Sequence, residues 1–310
     1  MTHINFKSKN IGMLCAFAFL LVAISSCKKS GDSPANRIPD NKPETMEEAI
    51  VQYDMSALKT FLSNGESPDR IFDDMDTPLH IAAAKGNVEA IAVLLEFGAN
   101  MEKRDKFGCT PLHLAVQNKN DNASQILLQN GANVNALDNY GLTPMLSAAV
   151  SSRLSYSKTK LLLSYGADVN ISDNKGQTPL IHAAGPFISY EVVELLIKSG
   201  ANVHKMSKYE GTALSRLMLR ADSDPSLIKI LDLLLNKGID VNASPPDFYS
   251  PLQLAIYYRH SKEVIQRLLE HGADACVFTQ EGLTLIEFAR QKEMNEDIID
   301  LLAKYDDCQE

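Results

Sequence analysis

The sequence predicts an all-α solenoid of about eight helix–turn–helix units carrying short β-hairpin fingers. Two independent marks predict it. A Thr-Pro-Leu-like turn recurs at Thr77, Thr110, Thr143 and Thr178, with degenerate copies at Thr212, Ser250 and Thr284. A glycine closes each leucine-rich run at Gly65, Gly98, Gly131, Gly166, Gly200, Gly238 and Gly272. Both series step by 33, 33, 35, 34, 38 and 34 residues. A fixed period of this size is the signature of stacked repeats, each too small to bury its own apolar face.

Each unit has a physical rationale. Threonine or Ser250 caps a helix, and proline at the next position loses an N–H that would be unpaired anyway. Small residues follow, as in Ile81-Ala82-Ala83-Ala84, where neighbouring helices must approach closely. The second helix carries buried leucines, such as Leu161-Leu162-Leu163, and its glycine ends it in a left-handed turn. Ala-Asn/Asp-Val-Asn then leads into Asp-x-x-Gly, a turn signal ahead of the next threonine. Because the two series of intervals agree, extra residues must fall between a threonine and its following glycine. They map to the link between paired helices, near Ser151–Ser157, Pro186–Ser189 and Ala221–Ser226.

Helix, turn, helix and finger in this order resemble the ankyrin repeat, over about residues 44–306. The first unit, Met46 to Pro68, lacks the Thr-Pro start but keeps Leu58, Phe61, Leu62 and Gly65. The last helix shows one apolar stripe, Ile298, Leu301 and Leu302, as a terminal repeat facing water should. The resemblance implies that His80 and His113 hydrogen-bond within the stack, and that partners lie across finger tips and first helices. His182 stands one residue out of that register and reads as a satisfied, partly buried histidine.

The N-terminus reads as an address. Lys7 and Lys9 precede an apolar run, Ile11 to Ile24, of roughly 21 Å as a helix. That is short of the ~30 Å of a bilayer core, so residues 1–26 read as a signal peptide. Ile24-Ser25-Ser26-Cys27 resembles the lipobox of bacterial lipoproteins, which implies acylation at Cys27; an ordinary signal with a chance cysteine is the alternative. Lys28 stands where some bacteria use Asp for inner-membrane retention, so the resemblance favours the outer membrane, with periplasmic or surface exposure open. Residues 27–43 form the acylated cysteine and a proline-rich tether, and 44–310 the repeat domain.

Composition bounds the chemistry. Thirty Lys and Arg against 39 Asp and Glu give a net charge of -9. Without residues 1–26, which hold Lys7, Lys9 and no acid, it is 28 - 39 = -11. This argues against nucleic acid, whose affinity rests on Lys and Arg at phosphates. No metal-spaced Cys/His cluster, phosphate loop or nucleophile elbow occurs, so no catalytic residue, metal, cofactor or small-molecule substrate is assigned. The Ser155/Lys158 and Ser157/Lys160 spacings match a serine–lysine hydrolase pattern without its companion motifs. Asp73, Asp74 and Asp76 read as a solvated turn. Three cysteines follow Cys27: Cys109 and Cys276 lie too many repeats apart to pair, Cys276 with Cys308 is geometrically conceivable, and at least one thiol stays free.

The expected role is a non-catalytic, lipid-tethered module that binds a protein partner in the bacterial cell envelope. Candidate contact residues are Phe107, Tyr140, Tyr209, Phe248 and Tyr249 on fingers, and Arg220, Tyr257 and Tyr258 at first-helix ends. Aromatic and Arg side chains supply most interface energy. An inhibitor or immunity-type binder of an exported toxin or enzyme, a thiol-dependent redox or enzymatic role, and a structural spacer are the alternatives.

Overall fold

A computed structural model describes residues 42–119 and 121–306. The proposed signal peptide, Cys27, the tether as far as residue 41, and Cys308 lie outside the described residues. The chain forms two compact units that divide between Asn139 and Tyr140.

The first unit holds three helix pairs: α1 (Met46–Val51) with α2 (Met55–Ser63), α3 (Pro78–Lys85) with α4 (Val88–Glu96), and α5 (Pro111–Ala115) with α6 (Asn122–Gln129). First helices pack on first helices and second on second, burying Leu79, Ala82, Ala83, Leu112 and Ala115 in one layer and Ile91, Leu94, Leu127 and Leu128 in the other. Alanine at Ala82, Ala83 and Ala115 permits the close approach. Each buried leucine contributes about 1.5–3 kcal/mol. The first repeat does carry a threonine cap: Thr45 accepts from the Glu48 N–H, 32 residues before Thr77 and without the proline.

The second unit holds five pairs. They are α7 (Pro144–Val150) with α8 (Tyr156–Ser164), α9 (Pro179–Ala184) with α10 (Tyr190–Lys198), α11 (Ala213–Leu217) with α12 (Leu227–Asn236), α13 (Pro251–Tyr257) with α14 (Lys262–Glu270), and α15 (Leu285–Gln291) with α16 (Glu296–Ala303). The expected insertions at 186–189 and 221–226 fall within the intra-pair links 185–189 and 218–226, and the one expected at 151–157 overlaps the link 151–155 and runs into the first turn of α8. Ile298, Leu301 and Leu302 are buried, as the stripe on the last helix requires.

The fingers differ from the expected β-hairpins. No strand forms among the described residues, and a single antiparallel bridge joins Ser207 to Gly211. Side chains reinforce the few backbone bonds of the turn, such as Asp105 N–H to Cys109 O and Asp173 N–H to Gln177 O. In the first unit Asp105 Oδ1 accepts from the N–H groups of Phe107 and Cys109, both at 2.8 Å. In the second, Asp173 Oδ1 accepts from Lys175 at 2.9 Å and Gln177 at 2.8 Å. A carboxylate that bonds two backbone donors closes a four-residue turn without a ladder. Successive tips then share one backbone bond each: Lys106 N–H to Asp74 O and Asn139 N–H to Phe107 O in the first unit, Asn174 N–H to Tyr140 O and Lys208 N–H to Lys175 O in the second. The tips approach so closely that a Cβ at Gly141, where φ is 77°, would sit 2.7 Å from the Asn174 side-chain Oδ1 and 3.1 Å from its backbone nitrogen.

Candidate functional site

At two first helices the third helical residue, His80 or Gln253, joins its own cap to the next finger. His80 Nδ1 accepts from the Thr77 N–H at 3.2 Å, and Nε2 lies 3.0 Å from the Cys109 carbonyl. The backbone N–H at Nδ1 fixes the neutral tautomer with the proton on Nε2, which donates to Cys109 O. His113 Nδ1 accepts from Thr110 N–H in the same way. In the second unit Gln253 takes this place, accepting from Ser250 N–H and donating to Phe278 O. The family-implied role of His80 and His113 within the stack therefore holds at both positions. His182 is buried but not satisfied: its Nε2 has no hydrogen-bond partner and lies 4.0 Å from Asp173 Oδ2.

Burial holds the His80 imidazole below the ordinary histidine range, against the opposing pull of the Cys109 carbonyl, Asp105 and Asp76. Burial also raises Asp105, opposed by the N–H groups of Cys109 and Phe107. With a folded pKa below its unfolded value of about 6.5, His80 takes up its proton more readily in the unfolded chain. Its contribution is thus present above pH ~6.5 and is lost as pH falls. Asp105 has the opposite sign: its burial cost is present at neutral pH and eases in stronger acid. The first unit is expected to be less stable at pH ~5.5 than at ~7.5. Denaturant unfolding of the His80→Gln variant, which places here the amide that Gln253 uses in its own repeat, should show that slope reduced. His80→Leu leaves the Thr77 N–H and the Cys109 carbonyl unpaired and should cost about 1–3 kcal/mol.

The sequence-identified contact residues distribute unevenly. Phe107 belongs to the first unit, half-buried beneath Lys106, whose Nζ lies 4.9 Å from its ring and 2.6 Å from Asp74. In the second unit Tyr140, Tyr209 and Phe248 are exposed on separate fingers, Tyr209 by 57%. Three other candidates do converge. The Tyr249 ring is 5.7 Å from Tyr257, and Tyr257 is 5.1 Å from Tyr258 in edge-to-face geometry. Such pairs add about 0.5–1.5 kcal/mol beyond area burial. Burial raises the phenols of both Tyr249 and Tyr258, so they stay neutral donors.

Two residues extend this ladder that the sequence reading missed. Phe288 lies 5.5 Å from Tyr249, and the Lys292 ammonium sits 4.3 Å from the Tyr257 centroid and 5.3 Å from that of Phe288. Their signal was the period itself: Phe288 falls 34 residues after Leu254, and Lys292 34 after Tyr258. The ladder is thus Tyr249 from a finger, Tyr257 and Tyr258 from the end of α13, and Phe288 and Lys292 from α15. Tyr258 is 40% exposed and Phe288 1%, so the outer rim meets solvent while the base is core.

Arg220 is a correction. It shares the register of Tyr258 but is 3% exposed. Its Nε donates to Ala184 O at 2.8 Å, its NH2 to Ala183 O at 3.1 Å and Ile188 O at 2.6 Å, and its NH1 pairs with Asp224 at 2.7 Å. α9 ends at Ala184, so the Ala183 and Ala184 carbonyls have no helical donors, and with the Ile188 carbonyl of the 185–189 link they take the Arg220 guanidinium. Arg220 is a structural clamp and offers nothing to a partner.

Thiol chemistry finds little footing among the described residues. Cys109 is fully buried, with Sγ 4.0 Å from Asp138 Oδ2. Cys276 is disulfide-bonded. Lys158, of the serine–lysine spacing, is buried with Nζ 3.5 Å from Arg153 O, inside the core of its repeat.

The fold and its recurring caps define a tandem helix–turn–helix repeat protein with an aromatic rim in its second unit. A family model for ankyrin repeats in three copies matches residues 46–138 and 125–207, and a single-repeat model matches 247–280. The chain belongs to the ankyrin-repeat family. It is 38% identical over 126 residues to an ankyrin repeat protein of Fowlpox virus (strain NVSL), covering 39% of this chain and 36% of the viral one. The match thus spans little more than a third of that relative's length. Among solved structures it resembles the ankyrin repeat domain of Bcl-3, a member of the IkappaB protein family, with a TM-score of 0.59 and 26% identity. That similarity covers 74% of this chain and all of the Bcl-3 domain. Ankyrin-repeat proteins are generally non-enzymatic protein-binding modules.

Proposed function

We propose that this chain is a protein-binding module of the bacterial cell envelope, anchored through an acylated Cys27 and engaging its partner with the second unit's aromatic ladder. The observation that carries the reading is the joined set Tyr249, Tyr257 and Tyr258, braced from below by Phe288 and Lys292. A rigid, pre-packed aromatic rim loses little side-chain entropy on binding. Phe248 and Tyr209 are exposed finger residues that extend the candidate surface. The lipobox-like Ile24-Ser25-Ser26-Cys27 and the short apolar run before it support the anchor. Several acyl chains, at about 0.8 kcal/mol per buried CH₂, would hold it durably.

Affinity capture of the full chain after in-cell crosslinking, beside a Phe248/Tyr257/Tyr258→Ala variant, tests the binding half. One protein enriched by the wild type and lost from the variant is expected; equal and diffuse recovery from both contradicts it. Labelled palmitate should enter the wild type and not Cys27→Ser. Incorporation into both, or into neither, contradicts the anchor.

A further inference from the structure

The lengthened link 218–226 is fastened to the next repeat through one buried ring. His260, 1% exposed, stands between α13 and α14 at the register that Asn87 occupies in the second repeat. Asn87 Nδ2 donates to the Ile50 carbonyl of the preceding repeat, a neutral amide that caps a helix end. His260 does the same with Nε2, 3.0 Å from the Met218 carbonyl. Where Asn87 Oδ1 accepts from the Ala90 N–H, the other nitrogen of His260 meets an acceptor. Nδ1 lies 3.2 Å from Asp222 Oδ1, and that same oxygen accepts from the Ser261 N–H at 2.9 Å.

Both ring nitrogens therefore face acceptors that cannot donate: a carbonyl and a carboxylate. A neutral imidazole has one N–H and must leave one of the two lone-pair contacts repulsive. Only the imidazolium, with two donors, satisfies both. Asp222 is held below the usual carboxylate range, burial being outweighed by bonds from Ser261 and His260, so it stays charged in mild acid. The other charges on the flanking segments are already paired. Arg220 is with Asp224, Arg216 of α11 with Glu210, Arg259 with Glu293, and Lys262 with Asp297. Asp222 is the carboxylate left to the ring.

We infer that His260 and Asp222 form a proton-dependent latch that fixes the 218–226 link onto the α13–α14 turn when the ring is doubly protonated and loosens it when a proton is lost. The sign follows from the geometry. Two donors exist only on the doubly protonated ring, so the full fastening is present at lower pH and is lost as pH rises and the ring gives up one proton. The latch would make this link responsive to the acidity around it.

Two measurements on the full chain test it. The ring ¹⁵N shifts of His260 at pH ~5.5 should report both nitrogens protonated; one bare nitrogen overturns the latch. Amide exchange across 218–226, corrected for intrinsic rates, should be about tenfold faster at pH ~8 than at pH ~5.5, one unmade buried hydrogen bond. His260→Asn keeps a donor for Met218, as Asn87 does for Ile50, and should fold with the pH response abolished. An unchanged pH response in that variant, or none in the wild type, overturns the inference.

Discussion

Phe288→Ala is expected to melt the last helix pair while the rest of the second unit stays folded. Phe288 is almost wholly buried and braces Tyr249 from beneath, with the Lys292 ammonium against its ring. Removing a buried phenylalanine costs about 3–5 kcal/mol, part lost transfer and part cavity. In a repeat stack stability is close to a sum of repeat and neighbour terms, so a terminal repeat that loses this much has no second neighbour to hold it. Amide exchange across α15 and α16 should approach unprotected rates, while α9 and α10 keep their protection. Phe288→Leu keeps most of the volume and should cost under about 1.5 kcal/mol. Equal protection of α15 in wild type and Phe288→Ala would show that the ladder does not hold the terminal repeat.

The second large effect is expected at Arg220. Arg220→Ala removes donors from three main-chain carbonyls, Ala183, Ala184 and Ile188, and from the Asp224 carboxylate. Asp224 is partly exposed, so water can take over its share of the charge. The carbonyls are buried with the Arg side chain, and leaving buried acceptors unpaired costs about 1–3 kcal/mol each at most. Allowing for relaxation and water entry, a total of about 3 kcal/mol is expected in the denaturant unfolding of the second unit. Exchange should rise first in 183–188. Arg220→Lys keeps the charge but cannot span three carbonyls and an acid at once, and should recover less than half of the loss.

The helix pairs, their order and the links that carry insertions were legible because one physical constraint repeats. The distance from each glycine to the next capping residue, threonine or Ser250, is twelve residues throughout, so every added residue falls between a cap and its following glycine. The caps were legible too, except Thr45, where the missing proline hid a threonine in nearly the right register. The β-hairpin was misjudged because an Asp-x-x-Gly turn reads alike whether strands or a side chain close it. In this chain Asp105 and Asp173 close it by taking two N–H groups each.

The site was harder. Tyr249, Tyr257 and Tyr258 were visible as aromatics at partner-facing register positions, but Arg220 looked equivalent to Tyr258 by the same rule. What separates them is the preceding link. The carbonyls of Ala183, Ala184 and Ile188 hold Arg220 inward, whereas the Met218 carbonyl in the link before Tyr258 goes to His260 and leaves Tyr258 outside. Phe288 and Lys292 went unnoticed because Thr284-Leu285 lacks the proline that draws attention to the other repeats. His260 and Asp222 stand 38 residues apart, a pairing that only the folded link reveals.

The central claim, that the aromatic ladder is the binding surface, meets its most direct test in the affinity of the captured partner for Tyr258→Ala and Tyr165→Ala. Both tyrosines are exposed to the same degree, but Tyr165 caps the end of a second helix, away from the ladder's elements. A weakening of about 30-fold or more for Tyr258→Ala, the ~2 kcal/mol of an interface hot spot, with wild-type affinity for Tyr165→Ala, is the predicted result. Wild-type affinity for Tyr258→Ala, or an equal loss in both, would contradict it.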